Sequence, residues 1–352
     1  MKKLPLALAS IFLLSALSGC GSAAQSTDSK SDQKQLVIST WGLNEDALQK
    51  DVFKPFEKAN NVKIVLETGN NGERLTKLKN NPNSNVDIMY LAESFSEEGI
   101  QDGLFEKIDY SKVPNAKKVI PKAQKFITEG YGPAYTLNRA AIVYNPEKVK
   151  GNIASWKDLW SPDFKGKIAI PDITTTFGPA MVCAASKKDG VDVTSDNGAD
   201  AFKSLQALKP NVVKTYTKSS DLVNMFSNGE ITAAVAADFV YGSIKKAVPS
   251  VKFVDPGEGA YLNFNTVNIV KSSKNKELAL KFINYVLSAE VEQKTSKDVG
   301  ESPVNSDVKL QGTETQGLTY GDEVEKSNVL DFKFINKNNK NWIDQWNKIY
   351  NN

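Results

Sequence analysis

Short apolar runs that alternate with stretches of helical period constrain this chain more than any other feature. Leu36-Val37-Ile38-Ser39-Thr40-Trp41 reads as a strand, and Gly42 ends it. Residues 46–60 follow with Leu48, Val52, Phe53 and Phe56 spaced as one face of an amphipathic helix. Residues 62–66 form the next strand, 73–79 start a helix, and 86–91 are a buried strand. The alternation continues with strands at 141–144, 168–170 and 231–236. Helices are predicted over 177–186, 199–208, 221–227 and 277–287, and Trp342, Ile343, Trp346 and Ile349 share one face of a last one. Such alternation implies an α/β body with mixed, mainly parallel sheets flanked by helices.

The N-terminus is of another kind. Lys2 and Lys3 precede an apolar stretch over 4–17, shorter than the roughly twenty residues of a membrane-spanning helix. Its length and flanks are those of a signal peptide, predicted here over 1–19. Leu17-Ser18-Gly19-Cys20 resembles the bacterial lipobox, and that resemblance implies a lipid on the Cys20 thiol. Residues 20–34 carry no aromatic or branched aliphatic side chain and cannot bury enough surface to order themselves. They are predicted to be a flexible tether holding an extracytoplasmic body to the bacterial cell membrane.

The chain has 352 residues, and about 318 remain beyond the tether, a size natural for two lobes. The net charge is +3, and only Arg74 and Arg139 are arginine, so no basic stripe points to nucleic acid. With Cys20 lipidated, Cys183 has no partner for a disulfide. The absence of histidine removes His-based triads, Cys-His dyads and most zinc sites, so the chain is read as a non-enzyme without cofactor. A surface hydrolase and an adhesive lipoprotein are the alternatives from other classes.

Ligands of open α/β sheets lie beyond the carboxyl ends of the strands. Here those ends carry Trp41 and Asn44, the Asn70-Asn71 loop, Ser94 and Phe95, Asp172 with the run to Phe177, and Asp238. Trp41 reads as a stacking surface or as core. Thr174, Thr175 and Thr176 precede a helix, where they cap free amides or help bind an anion. Arg139 offers either a fork for a carboxylate or an internal ion pair. Cys183, among Ala180, Met181 and Val182, reads as buried and inert. Tyr241 and Lys245 match a Tyr-x-x-x-Lys pair, but no Gly-x-Gly-x-x-Gly loop accompanies it.

Several segments, in order, resemble the solute-binding proteins of ABC importers in the spermidine/putrescine-binding branch. They are Thr40-Trp41, Glu73-Arg74-Leu75-Thr76-Lys77-Leu78, and Ser155-Trp156-Lys157-Asp158-Leu159-Trp160 with Phe164-Lys165-Gly166-Lys167. Residues 262–268 and 273–277, Gly300-Glu301-Ser302-Pro303-Val304-Asn305, and 342–348 complete the set. The resemblance implies a two-lobed, type II periplasmic-binding-protein-like clamshell. Its first lobe would take 35–137 and 262–308, its second 138–261, with 309–352 a C-terminal helical segment. Crossovers are expected near Tyr135 to Arg139 and near Tyr261 to Asn265.

The same resemblance implies a monomeric receptor that hands a small polar metabolite to permease subunits driven by a cytoplasmic ATPase. The ligand would be a polyamine-type or amino-acid-like amine, with a phosphonate, thiamine or iron as alternatives. Trp41 matches one of the family's ligand-stacking aromatics. The family's Trp-x-Asp at the second crossover corresponds to Asn263-Phe264-Asn265. A family acid falls on Thr176, with Asp172 close by, and Ala237 replaces the aromatic before Asp238. Asp172, Asp238 and Glu301 remain as possible amine partners, and Tyr135, Tyr241, Asn263 and Asn265 complete the expected ligand-binding set.

Overall fold

In the computed structural model, which describes residues 33–351, the strands join into one open hydrogen-bonded network. In chain order they are β1 (Lys34–Thr40), β2 (Val62–Thr68), β3 (Ile88–Ala92), β4 (Ala134–Tyr144), β5 (Ile168–Pro171) and β6 (Val212–Tyr216). There follow β7 (Ala233–Ala237), β8 (Lys252–Val254), β9 (Tyr261–Ile269), β10 (Ser302–Pro303) and β11 (Asn328–Val329). The spatial order is β2-β1-β3-β9-β4-β7-β5-β6, with β8 and β10 on β4 and β11 on β9.

Pairing is parallel in the two wings, β2-β1-β3 and β7-β5-β6, whose inner strands β3 and β7 are buried throughout while the outer β2 and β6 carry exposed polar positions. It is antiparallel at the centre, where β9 joins β3 to β4 and β4 joins β7. The strand expected at 141–144 is only the far half of β4. Its near half, Ala134 to Ala140, pairs with β9, which is how the polar stretch Tyr135 to Arg139 becomes strand.

The first helical pattern is a continuous helical run from Glu45 to Asn60, with a wider π turn over Gln49–Phe53 that sets Val52, Phe53 and Phe56 into the core. Two main cores result. One gathers Leu36, Ile38, Phe53, Phe56, Tyr90, Leu137, Phe264 and Phe282. The other gathers Ile142, Tyr144, Trp156, Ile170, Met181, Phe202 and Val235. Cys183 belongs to the second, and burial pushes its thiol up to about 12, far from a nucleophile's range.

The C-terminal segment is not helical throughout. It includes β11, and its long helix begins only at Phe332, where Asp331 caps it. The helix Phe332–Tyr350 buries Trp342 and Trp346 in the second core. Its first turns reach the helices between β3 and β4: Lys333 pairs with Glu129 at 2.7 Å, and Asn336 Nδ2 donates to the Ser94 carbonyl at 3.0 Å. Cys20 and the signal sequence lie outside the described residues.

Candidate functional site

The register of the central strands places the site. Ala92, the end of β3, stands opposite Asn265, which stands opposite Thr136. Ala237, the end of β7, stands opposite Ala140, which stands opposite Tyr261. Strands β1 to β3 and strands β5 to β7 therefore point their carboxyl ends at each other. Between them run only residues 136–140 of β4 and the facing part of β9, roughly 13 Å of strand. Loops from both wings converge over this crossover, which forms the floor of a cleft.

On the first side an aromatic layer forms. Trp41, just past β1, lies parallel to Tyr90 with ring centroids 6.4 Å apart, and Tyr90 meets Tyr135 at 4.6 Å. Trp41 and Tyr135, which sequence reasoning singled out, are partly exposed, and Tyr90 backs them from within the first core. Glu301 lies close enough for its charge to act on both phenols. Burial holds Tyr90 and Tyr135 protonated, well above the usual phenol range. Loss of solvation likewise pushes the Glu301 carboxyl up to about 7, against a lowering pull from the Thr295 hydroxyl.

Arg74 organises this wing. Its Nε donates to the Gly69 carbonyl at 2.9 Å, and Nη1 to the carbonyls of Ser39 at 3.1 Å and Tyr90 at 2.7 Å. One guanidinium thus ties the ends of β1, β2 and β3 together, and it stacks 5.2 Å from the Trp41 ring. Desolvation lowers it to about 10, still charged at neutral pH. Asn71 joins the clip, its Oδ1 accepting from Ala92 N–H at 3.2 Å and from Arg74 at 3.3 Å. Asn70 is exposed at the N-cap of the helix Asn71–Asn80. Asn44 is exposed with a left-handed backbone and reaches the Val299 carbonyl.

Other expected site residues are engaged elsewhere. Arg139 is an internal ion pair: Nε meets Asp255 at 2.8 Å, Nη2 meets it at 3.2 Å, and Nη1 donates to Thr319 Oγ1 at 2.8 Å. Asp238 accepts from Arg139 N–H at 3.2 Å, from Phe239 N–H at 2.8 Å and from the Thr319 hydroxyl. Burial raises Asp238 to about 6, with Thr319 and Arg139 pulling the other way. Tyr241 turns to a separate core, donating to the Val251 carbonyl at 3.2 Å and packing 5.5 Å from Phe253. Phe95 packs with Leu75, Leu78 and Leu91 beneath its own helix, while the Ser94 carbonyl accepts from Asn336.

The threonine run does not cap the following helix. The N-cap position is Phe177, with no side-chain cap, and Gly178 packs so closely on Asp172 and Ile173 that a Cβ there would lie 2.2 Å from a carbonyl. The run instead folds on Asp172, whose Oδ1 accepts from Thr174 N–H at 3.0 Å and Thr174 Oγ1 at 2.6 Å. Thr175 Oγ1 donates to the Asp172 carbonyl at 2.7 Å, and Thr176 stays partly exposed. On the cleft floor Asn138, which sequence reasoning passed over, joins Asn263 and Asn265.

A cleft between opposed strand ends, lined by aromatics, amides and a carboxylate, defines a receptor that encloses a small polar molecule. The chain belongs to the bacterial extracellular solute-binding protein family, whose model matches residues 51–319. It is 61% identical to an ABC transporter protein from Clostridium perfringens of known structure, over 89% of this chain and 99% of that one, with a TM-score of 0.84. It is 26% identical to a spermidine/putrescine-binding periplasmic protein of Haemophilus influenzae, over 88% of this chain and 87% of that one. It is 27% identical to the putrescine-binding periplasmic protein PotF of Escherichia coli, over 74% of this chain and 75% of that one. The chain is thus a solute-binding receptor of the class that serves ABC importers.

Proposed function

We propose that this receptor captures a small aliphatic amine outside the cytoplasm and delivers it to a membrane permease driven by a cytoplasmic ATPase. The observation that carries the reading is the aromatic layer of Trp41, Tyr90 and Tyr135 beside Glu301. Aromatic faces attract an ammonium and cover methylenes, and a carboxylate in a poorly solvated site balances the charge. The curated relatives, two of them polyamine-binding by name, support the same ligand class. Asn44, Asn70 and Thr176 stand at the rim as further contacts. Arg139 and Asp238 serve the crossover, and Tyr241 serves its own core.

In this reading residues 35–137 with 262–308 move as one lobe against 138–261, and closure on the ligand creates the surface the permease recognises. Binding free energy drives that closure and no bond is made or broken. The protein acts as a monomer anchored through lipid on Cys20, which keeps it near its permease. Calorimetric titration with diamines, polyamines and amino-acid-like amines tests the reading. At least one aliphatic amine binds with micromolar or better affinity, and Glu301→Gln weakens it by about tenfold or more. Failure of every amine to bind overturns the ligand class.

A further inference from the structure

Three side-chain amides meet on the floor of the cleft. Asn138 and Asn263 face each other in the β4–β9 register, and Asn265 lies on the same strand two positions on. Asn263 Nδ2 donates to Asn138 Oδ1 at 3.2 Å and to Asn265 Oδ1 at 3.0 Å. Asn263 is 1% exposed and its Oδ1 has no partner. Asn138 and Asn265 are half-buried, and their Nδ2 groups have no partner among the described residues. A buried acceptor without a partner is unfavourable by itself and is relieved when a bound molecule hydrogen-bonds the cluster. Whichever way each amide is turned, the triad offers donors and acceptors without net charge.

The charges around the floor are already engaged, including buried Glu93 beside Phe264, which is paired with Lys125 at 3.5 Å. Asp238 is held by Arg139 N–H, Phe239 N–H and Thr319, and Arg139 is paired with Asp255. Arg74 has its donors on strand-end carbonyls and Asn71. Asp172 closes its own turn through Thr174. Glu301 is the carboxylate that stands beside the aromatic layer. An ammonium removed from water needs an opposite charge close by, and neutral amides do not supply one. The same floor offers no free guanidinium to balance an anion.

We propose that the ligand carries a single ammonium, seated against Trp41, Tyr135 and Glu301, and that its far end is a neutral polar group such as an amide or hydroxyl. Asn138, Asn263 and Asn265 hydrogen-bond that end. The inference rests on the amine-receptor reading and narrows it from diamines to monocationic amines with a neutral hydrogen-bonding tail.

Calorimetry on the intact protein with putrescine, 4-aminobutanamide and butylamine tests it, since these share a chain length and differ at one end. The amide binds at least about tenfold tighter than either of the others. Asn265→Asp, which adds a negative charge in nearly the same shape, reverses the order and raises putrescine affinity about tenfold. Putrescine binding as tightly as the amide to the native protein overturns the proposal and leaves the amine reading standing. So does butylamine binding as tightly as the amide, or an Asn265→Asp variant with an unchanged preference. If none of the three binds while another amine does, the inference falls and the amine reading stands; if no amine binds at all, both fall.

Discussion

Arg139 and Asp255 form a two-pronged ion pair, Nε to Oδ1 at 2.8 Å and Nη2 to Oδ2 at 3.2 Å. The pair fastens the crossover strand to the loop between β8 and β9, and Thr319 extends it to buried Asp238. Removing the guanidinium leaves Asp238 without its cation and Asp255 without its fork. Arg139→Ala is therefore expected to lower stability by about 3 kcal/mol, as one-sided loss of a largely buried pair does. Arg139→Lys, with a point charge and no fork, recovers less than half of that. Urea unfolding measures both. A loss below about 1 kcal/mol, with weakened ligand affinity, would return Arg139 to a ligand-binding role.

Glu301 predicts a pH dependence of definite sign. Its folded carboxyl is raised to about 7, so the native state holds a proton that the unfolded chain releases near the ordinary carboxylate value. Its contribution to stability is full below that ordinary value and is lost as pH rises through 7. An ammonium prefers the ionised form, so amine affinity moves oppositely and strengthens as pH rises from 6 to 8. Glu301→Gln flattens the affinity profile and lessens the slope of the stability profile, to which buried Asp238 and Glu93 also contribute. Titration calorimetry and thermal unfolding across that range check them, and an amine affinity independent of pH would remove Glu301 from the site.

Trp41 is partly exposed at the strand end and Trp160 is partly exposed against the second core, whereas Trp156, Trp342 and Trp346 are fully buried. Enclosing a ligand against its face changes its solvation and therefore the emission of the whole protein. Ligand addition is expected to shift or quench tryptophan fluorescence, and Trp41→Phe abolishes most of that change while retaining a stacking face. A signal of undiminished size in the variant would place the responsive indole elsewhere.

The helix Phe332–Tyr350 buries Trp346 in the second core and holds Ser94, in the helix that follows β3, through Asn336. Trp346→Ala opens a cavity in that core and is expected to lower stability by about 3–5 kcal/mol. Asn336→Ala removes only a half-buried hydrogen bond and costs about 1 kcal/mol. Its effect belongs on the lobe equilibrium, read as an altered apparent ligand affinity at nearly unchanged unfolding midpoint. An Asn336→Ala variant with native affinity would confine the helix to a packing role.

The alternation of strands and helices was legible because burial imposes its period locally, and the helix Ala199–Leu208 begins and ends where periodicity placed it. The aromatic end of β1 was legible for the same reason. What escaped was set by pairing between distant segments. The near half of β4 carries Asn138 and Arg139, which read as loop until β9 supplies their hydrogen bonds. Arg139 stood open between a ligand fork and an internal ion pair because Asp255 and Thr319, which decide it, lie far along the chain. Thr174 and Thr175 stood before a helix, as caps do, yet they fold on Asp172 because Gly178 enters the helix against that turn. Local propensity does not encode which partner a polar side chain finds.

Cys20 gives the remaining prediction, resting on sequence because it lies outside the described residues. A cysteine that ends a signal-like apolar stretch and precedes a polar tether is the pattern of a lipid-modified N-terminus. The chain is expected to incorporate labelled palmitate in growing cells and to sediment with membranes. Cys20→Ser loses the label and leaves the membrane fraction, while the purified body keeps its ligand affinity, because the cleft is built wholly from residues beyond the tether. Membrane retention of the unlabelled variant would mean that something other than this lipid holds the receptor in place.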